Sequence, residues 1–326
     1  MKLLTTILLL AATVATCSPA ENAPTPASGD MQEITDFGDN PGQLKAWQYL
    51  PEGLPEQAAL VVVLHGCGQN AAEMARLTGW NALAAQQGFA VLYPEQQASN
   101  NIQNCFNWFQ QQDITRSNGE SQSIWQMVSY MLSNYNIAPK RIYLTGMSAG
   151  GAMSSALMAA YPDVFSAGAV QSGVPYGAAF DLAAGFQAMQ GQVSKSPEAW
   201  QEAVANAYPS YEGAYPKAMI FHGTDDAIVN AQNAEELAKQ WGAVHQTGRT
   251  PAAIDTTFAG NPAVRRLSYQ EAGGEERVVR FDIEGLGHAM AVDPGEGEQQ
   301  GGETGPFAKD VDFYATYWIA RFFGLL

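Results

Sequence analysis

The feature that most limits how this chain can fold is an unbroken apolar run, Leu60-Val61-Val62-Val63-Leu64. A strand with one wet face alternates polar and apolar residues, so a continuous run marks a strand covered on both faces. Further strands of this type are read at 89–93, 141–145, 167–170, 218–221 and 278–282. Between them lie helical patterns at 71–87, 121–136, 149–160 and 231–241, and a last one at 309–323 carries Tyr314, Trp318, Ile319 and Phe322 at helical spacing. Strand–helix alternation of this length predicts an α/β fold, a mostly parallel central sheet with helices on both faces.

One strand runs directly into Gly146-Met147-Ser148-Ala149-Gly150 and then into a helical pattern. The glycines flank the serine because the strand turns so sharply into the helix that larger side chains would collide, and the turn exposes the serine oxygen at the helix N-terminus. Ser148 is therefore the candidate nucleophile. It needs a base and a group to orient that base. Among four histidines, His288 sits in Gly285-Leu286-Gly287-His288-Ala289, a glycine-bearing loop just past a strand, and is the candidate base. His65 and His222 each end a strand before a glycine and read as structural, and His245 reads as surface. Two adjacent aspartates follow the strand that ends at His222; the spacing His-Gly-x-x-Asp-x-x-Val selects Asp226 over Asp225. The order serine, acid, histidine is that of the α/β-hydrolase fold. Oxyanion donors are expected from the backbone N–H of Ala149 and, in the loop His65-Gly66-Cys67-Gly68-Gln69, from that of Cys67. Residues 174–216, rich in Ala, Gly, Gln and Tyr, break the rhythm and are expected to form a helical insertion over one edge of this site.

The 32 acidic against 16 basic residues give a formal charge of -16, which disfavours nucleic acid and anionic membrane surface as partners. The histidines lack ligand spacing, and Cys-x-x-Cys, dinucleotide and phosphate-loop motifs are missing, so neither metal nor cofactor is expected. Lys2 followed by an apolar run too short for a comfortable membrane span reads as an export signal. Val14-Ala15-Thr16-Cys17 looks like a bacterial lipobox with Cys17 as the lipidated residue; Thr16 is uncommon there, so plain signal cleavage stays open. With Cys17 set aside, Cys67 and Cys105 remain; in an exported chain an even remainder favours a disulfide, with two buried free thiols as the alternative. The expected plan is a signal peptide over 1–16, a lipidated or flexible tether over 17–40 and a single α/β-hydrolase catalytic domain over 41–326.

Taken together these residues resemble the polyhydroxybutyrate depolymerase-type esterases, relatives of the feruloyl and acetylxylan esterases of carbohydrate esterase family 1. The resemblance runs from about residue 44 to 325. It rests on His65-Gly66-Cys67-Gly68-Gln69, on Cys105-Phe106-Asn107-Trp108-Phe109 with Arg116, Gly119 and Glu120, on the serine and acid turns, on the His288 loop, and on the closing Trp318-Ile319-Ala320-Arg321-Phe322-Phe323. It implies that Cys105 pairs with Cys67 beside the oxyanion loop. Phe106, Trp108 and Phe109 are then placed near the cleft mouth, with Trp108 as the substrate contact and core packing as the alternative role for two of the three. The activity implied is ester hydrolysis through an acyl-enzyme by a secreted or outer-membrane-anchored monomer, acting on polyhydroxybutyrate or its oligomers; the alternative is a feruloyl or acetylxylan esterase. Met290-Ala291 departs from the residues common in relatives, and the chain ends at Leu326 without the linker and binding domain many depolymerases carry. Amorphous polymer, oligomers and soluble esters are therefore the expected substrates.

Overall fold

The computed structural model describes residues 31–326; the expected signal peptide and Cys17 lie outside the described residues. Ten strands form one sheet: β1 (Gln32–Ile34), β2 (Lys45–Tyr49), β3 (Ala58–Leu64), β4 (Ala90–Glu95), β5 (Ile137–Met147), β6 (Ala167–Gln171), β7 (Lys217–Gly223), β8 (Ala253–Asp255), β9 (Val264–Gln270) and β10 (Glu276–Ile283). Their order is β1-β2-β4-β3-β5-β6-β7-β10-β9-β8. The centre, β4-β3-β5-β6-β7-β10, is parallel, and the outer strands pair antiparallel on either edge. This is the α/β-hydrolase arrangement that the apolar runs predicted.

The pattern in β3 shows why its residues must all be apolar. Leu60, Val62 and Leu64 pack on one side with Ile124, Met127, Met153 and Leu157, while Val61 and Val63 pack on the other with Met74, Leu77 and Trp80. Each such side chain contributes about 1.5–3 kcal/mol through burial, and an unpaired charge in its place would cost more than that.

Several boundaries differ from expectation. The helix expected over 71–87 is two helices, Ala71–Thr78 and Trp80–Gln87. Between them Gly79 adopts φ 67°, and a β-carbon there would sit 2.6 Å from the Tyr314 hydroxyl, which donates to the Thr78 carbonyl at 2.8 Å. A long-range contact thus broke a helix whose local pattern was continuous. The closing helix is shorter than 309–323, spanning Ala315–Phe322, because Ala308–Asp310 pairs instead with Met290–Val292. Residues 31–40, placed in the tether, belong to the folded unit: β1 pairs with β2, and Ile34 is buried. The insertion at 174–216 contains two helices, Leu182–Met189 and Pro197–Ala205, capped by Asp181 and Ser196, with loops around them. It is tied down at Glu236, whose carboxylate accepts from Trp200 Nε1 at 2.7 Å and Ser194 Oγ at 2.8 Å. Among the described residues, no helix is long and apolar enough to cross a membrane.

Candidate active site

The parallel strands deliver three loops to one end of the sheet. β5 ends at Met147, and Ser148 follows with φ 57° and ψ -118°, a conformation few non-glycine residues adopt. Its N–H is fixed by the Gln171 carbonyl at 2.9 Å. The helix Ala149–Ala160 begins at once, so the Ala149 N–H has no carbonyl one turn back within that helix. A β-carbon on Gly150 would collide with the carbonyls of Leu64 and His65. The start of this helix therefore packs on the end of β3, and the 65–69 loop lies beside the serine.

That loop is held from several sides. Cys67 and Cys105 form a disulfide, with an S–S distance of 2.02 Å. Gly68 N–H donates to the Gln103 carbonyl at 2.7 Å, and Gly66 N–H to Gln69 Oε1 at 2.9 Å. His65 is buried, donates from Nδ1 to its neighbour's carbonyl at 2.7 Å, and accepts at Nε2 from Gln96 N–H at 3.0 Å. Burial lowers its pKa, in keeping with a neutral, structural ring.

The other two loops meet each other. Thr224 N–H donates to the Ile283 carbonyl at 2.9 Å and Asp225 N–H to the Leu286 carbonyl at 3.0 Å, so the turn after β7 is clipped to the loop after β10. The result is a relay: Ser148 Oγ lies 2.8 Å from His288 Nε2, and His288 Nδ1 lies 2.7 Å from Asp226 Oδ2. The other Asp226 oxygen accepts from Ile228 N–H at 3.0 Å and Val229 N–H at 2.8 Å. Burial works to raise the Asp226 pKa, but hydrogen bonds from His222, His288 and Val229 outweigh it and hold the carboxyl well below the usual range. Asp225 is exposed and accepts only from the Thr224 hydroxyl among the described residues, at 2.9 Å.

A strained serine, an imidazole and a charged carboxylate in series, on this sheet, are the apparatus of acyl transfer. The Esterase PHB depolymerase family model matches residues 44–261. The chain belongs to that family. It is 41% identical to poly(3-hydroxyalkanoate) depolymerase C of Paucimonas lemoignei over 296 residues, covering 91% of this chain and 70% of the relative. It is 32% identical to feruloyl esterase B of Talaromyces stipitatus over 277 residues, covering 83% and 75% of the two chains. An acetyl xylan esterase structure from Aspergillus awamori superimposes with a TM-score of 0.77 at 26% identity, covering 91% of this chain and all of that one. The protein is a carboxylic-ester hydrolase of the α/β-hydrolase fold.

Other residues singled out in this esterase agree with expectation only in part: Phe106 takes the core-packing role open to it, while Trp108 and His245 depart from their expected places. Phe106 is wholly buried, its ring 4.8 Å from that of His65. Trp108 is only 8% exposed, packed edge-on against Phe109 and beneath Gly185, so it reaches the surface by an edge at most. His245 is half-buried and donates to the Pro216 carbonyl at 2.9 Å, rather than lying free at the surface. The sequence reading missed the apolar surface above Trp108. Phe180, Leu182 and Phe186 are 50%, 58% and 59% exposed on and before the helix Leu182–Met189. That helix spans the site's flank: Gly185 touches Phe109, while the Met189 carbonyl accepts from Asn230 N–H at 2.7 Å, just past the acid turn. Phe307, whose ring centre lies 6.4 Å from that of His288, adds an apolar edge on the base's side. As for metals, Asp293, Asp310 and Asp312 bring oxygens within 4.8 Å of one another, but Asp310 and Asp312 are exposed and Asp293 is half-buried, and exposed acidic groups commonly gather without an ion.

Proposed function

We propose that this esterase is an exported depolymerase of hydrophobic polyesters, with polyhydroxybutyrate or its oligomers as substrate. The observation that carries the reading is the Ser148–His288–Asp226 relay with both hydrogen bonds under 3 Å. His288 takes the Ser148 proton as the oxygen attacks the ester carbonyl, and ionised Asp226 stabilises the imidazolium. The N–H groups of Ala149 and Cys67 hold the oxyanion. His288 returns the proton to the departing alkoxide, and water then releases the acyl group by the same steps in reverse. No metal or cofactor takes part in this scheme.

Support for a polyester comes from Phe180, Leu182 and Phe186, exposed apolar side chains grouped around the exposed Asp181 on the segment that flanks the acid turn, and from Ile228 of that turn at 46% exposure. Exposed apolar residues grouped in this way mark contact with an apolar partner. A 750 Å³ cleft beside them has an apolar wall of Phe109, Phe180 and Leu182 and an otherwise polar lining of Gln110, Gln111, Gln112, Thr115, Asn118 and Asp181. The 41% identity to a poly(3-hydroxyalkanoate) depolymerase points the same way. Export is supported by the signal-like start and by a disulfide, which persists in oxidising compartments. A lipid on Cys17 and a monomeric state belong to the same proposal.

The test is release of hydroxybutyrate oligomers from amorphous polymer, followed by mass spectrometry, for wild type beside Ser148→Ala. Release by the wild type alone supports both the nucleophile and the substrate class. No release, with feruloyl or acetylxylan esters cleaved instead, transfers the chain to the second reading, which 32% identity to a feruloyl esterase favours.

A further inference from the structure

We propose that His222 is a positioning residue for the catalytic acid, an inference that rests on reading Ser148, His288 and Asp226 as the triad. His222 closes β7 and is 2% exposed. Its Nε2 lies 2.7 Å from the Val229 carbonyl oxygen and 3.4 Å from Asp226 Oδ2. A carbonyl only accepts, so the proton sits on Nε2, shared between that carbonyl and the carboxylate. Nδ1 is buried with no hydrogen-bond partner among the described residues. Every side-chain hydrogen bond this ring makes among them is thus directed at the acid turn.

The contacts form a closed frame. Val229 donates its N–H to Asp226 Oδ1 at 2.8 Å while its carbonyl is held by His222. Asp226 Oδ2 faces two imidazoles, His288 at 2.7 Å and His222 at 3.4 Å. With one oxygen fixed by backbone and the other bracketed by two rings, the carboxylate cannot rotate away from His288. The donors also favour its ionised form against the burial that opposes it. A ring kept only for packing would do better as phenylalanine or leucine, since a buried unpaired ring nitrogen is unfavourable. What the histidine adds is the Nε2 donor. It acts through Asp226 and touches no reacting atom.

The test compares two amides of similar polarity. In His222→Gln the side-chain NH2 reaches about as far as Nε2; in His222→Asn it reaches only about as far as Nδ1. Both are assayed on a soluble ester for kcat and KM, with melting temperature recorded. The expected result is a kcat about 10- to 100-fold lower for His222→Asn with KM within about twofold, and recovery to within about threefold of wild type for His222→Gln. Equal kcat for the two variants, or losses that simply follow melting temperature, would overturn the proposal. His222→Leu at 4 °C gives an independent check, since retained kcat in a folded protein without any donor also overturns it. Failure of the triad reading shows separately, as turnover that survives Ser148→Ala.

Discussion

Gly223 lies so close to the Leu286 carbonyl that no β-carbon fits between them. This contact joins the end of β7, which carries the acid turn, to the loop that carries His288. Two backbone bonds beside it, Thr224 to Ile283 and Asp225 to Leu286, complete the clip. The relative placement of base and acid therefore depends on a glycine that touches neither side chain's reacting atoms. Gly223→Ala is expected to cost about 1–3 kcal/mol of stability through overpacking. It should also lower kcat by about 100-fold by displacing the His288 loop. Thermal melting and soluble-ester kinetics check both, and a stable variant with wild-type kcat would contradict the account.

The Cys67–Cys105 bridge closes a loop of 38 residues. Replacing both cysteines by alanine should lower stability by about 3–4 kcal/mol, largely by freeing the unfolded chain. Because Cys67 also stands in the oxyanion loop, kcat should fall by about tenfold or more at temperatures where the variant is folded. Labelling by a fluorophosphonate should persist, since Ser148 and His288 are untouched. Turnover equal to wild type would show that the loop is held well enough without the bridge.

Changing Phe180, Leu182 and Phe186 together to serine separates binding of polymer from chemistry. Soluble-ester kcat/KM is expected to stay within about twofold, because the patch flanks the relay without supplying any part of it. Release from amorphous polymer should fall by about tenfold or more as apolar contact area is lost. Parallel losses on both substrates would mean that the patch supports the fold instead.

Burial pushes the Glu120 carboxyl up to about 8 from 4.5, with Asp113 adding to the rise and hydrogen bonds from Asn107 and Gln96 opposing it. The folded chain thus keeps this proton up to about pH 8, whereas the unfolded chain loses it near 4.5. The stabilising contribution is fully present below pH 4.5 and is lost as pH rises toward 8, at about 1.4 kcal/mol per unit. Glu120→Gln removes that slope. It should be less stable than wild type at pH 5, because an amide cannot accept from every donor around the site, and the gap should narrow by pH 8.5. Melting curves at both values test this; a constant gap would place the buried proton elsewhere.

Much of the site was legible because its residues are local. Gly146, Ser148 and Gly150 reflect a turn that leaves little choice of side chain, and the His222-to-Val229 spacing picked the carboxylate that meets His288 over its neighbour. The central strands were legible because both faces are covered, which fixes composition residue by residue. Outer antiparallel strands such as β9, Val-Arg-Arg-Leu-Ser-Tyr-Gln, which lies between β10 and the edge strand β8, carry a weaker pattern and were not recognised. The break at Gly79 and the depth of Trp108 were hidden as well, since each depends on a partner far along the chain, Tyr314 in one case and Gly185 in the other.

The sequence alone determined the parallel sheet, the order of serine, acid and histidine, and the chemistry these three types can perform. Periodicity and short-range spacing carry that information, and both are properties of neighbouring residues. Only the tertiary structure decided that Ser148, Asp226 and His288 meet within hydrogen-bonding distance, and that His222 stands behind the acid with one ring nitrogen unpaired among the described residues. It also raised Phe180, Leu182 and Phe186 into the open while Trp108 sank beneath them. These outcomes depend on contacts between segments tens to more than a hundred residues apart, and no local pattern fixes which side chain wins the inner position when such segments close on one another.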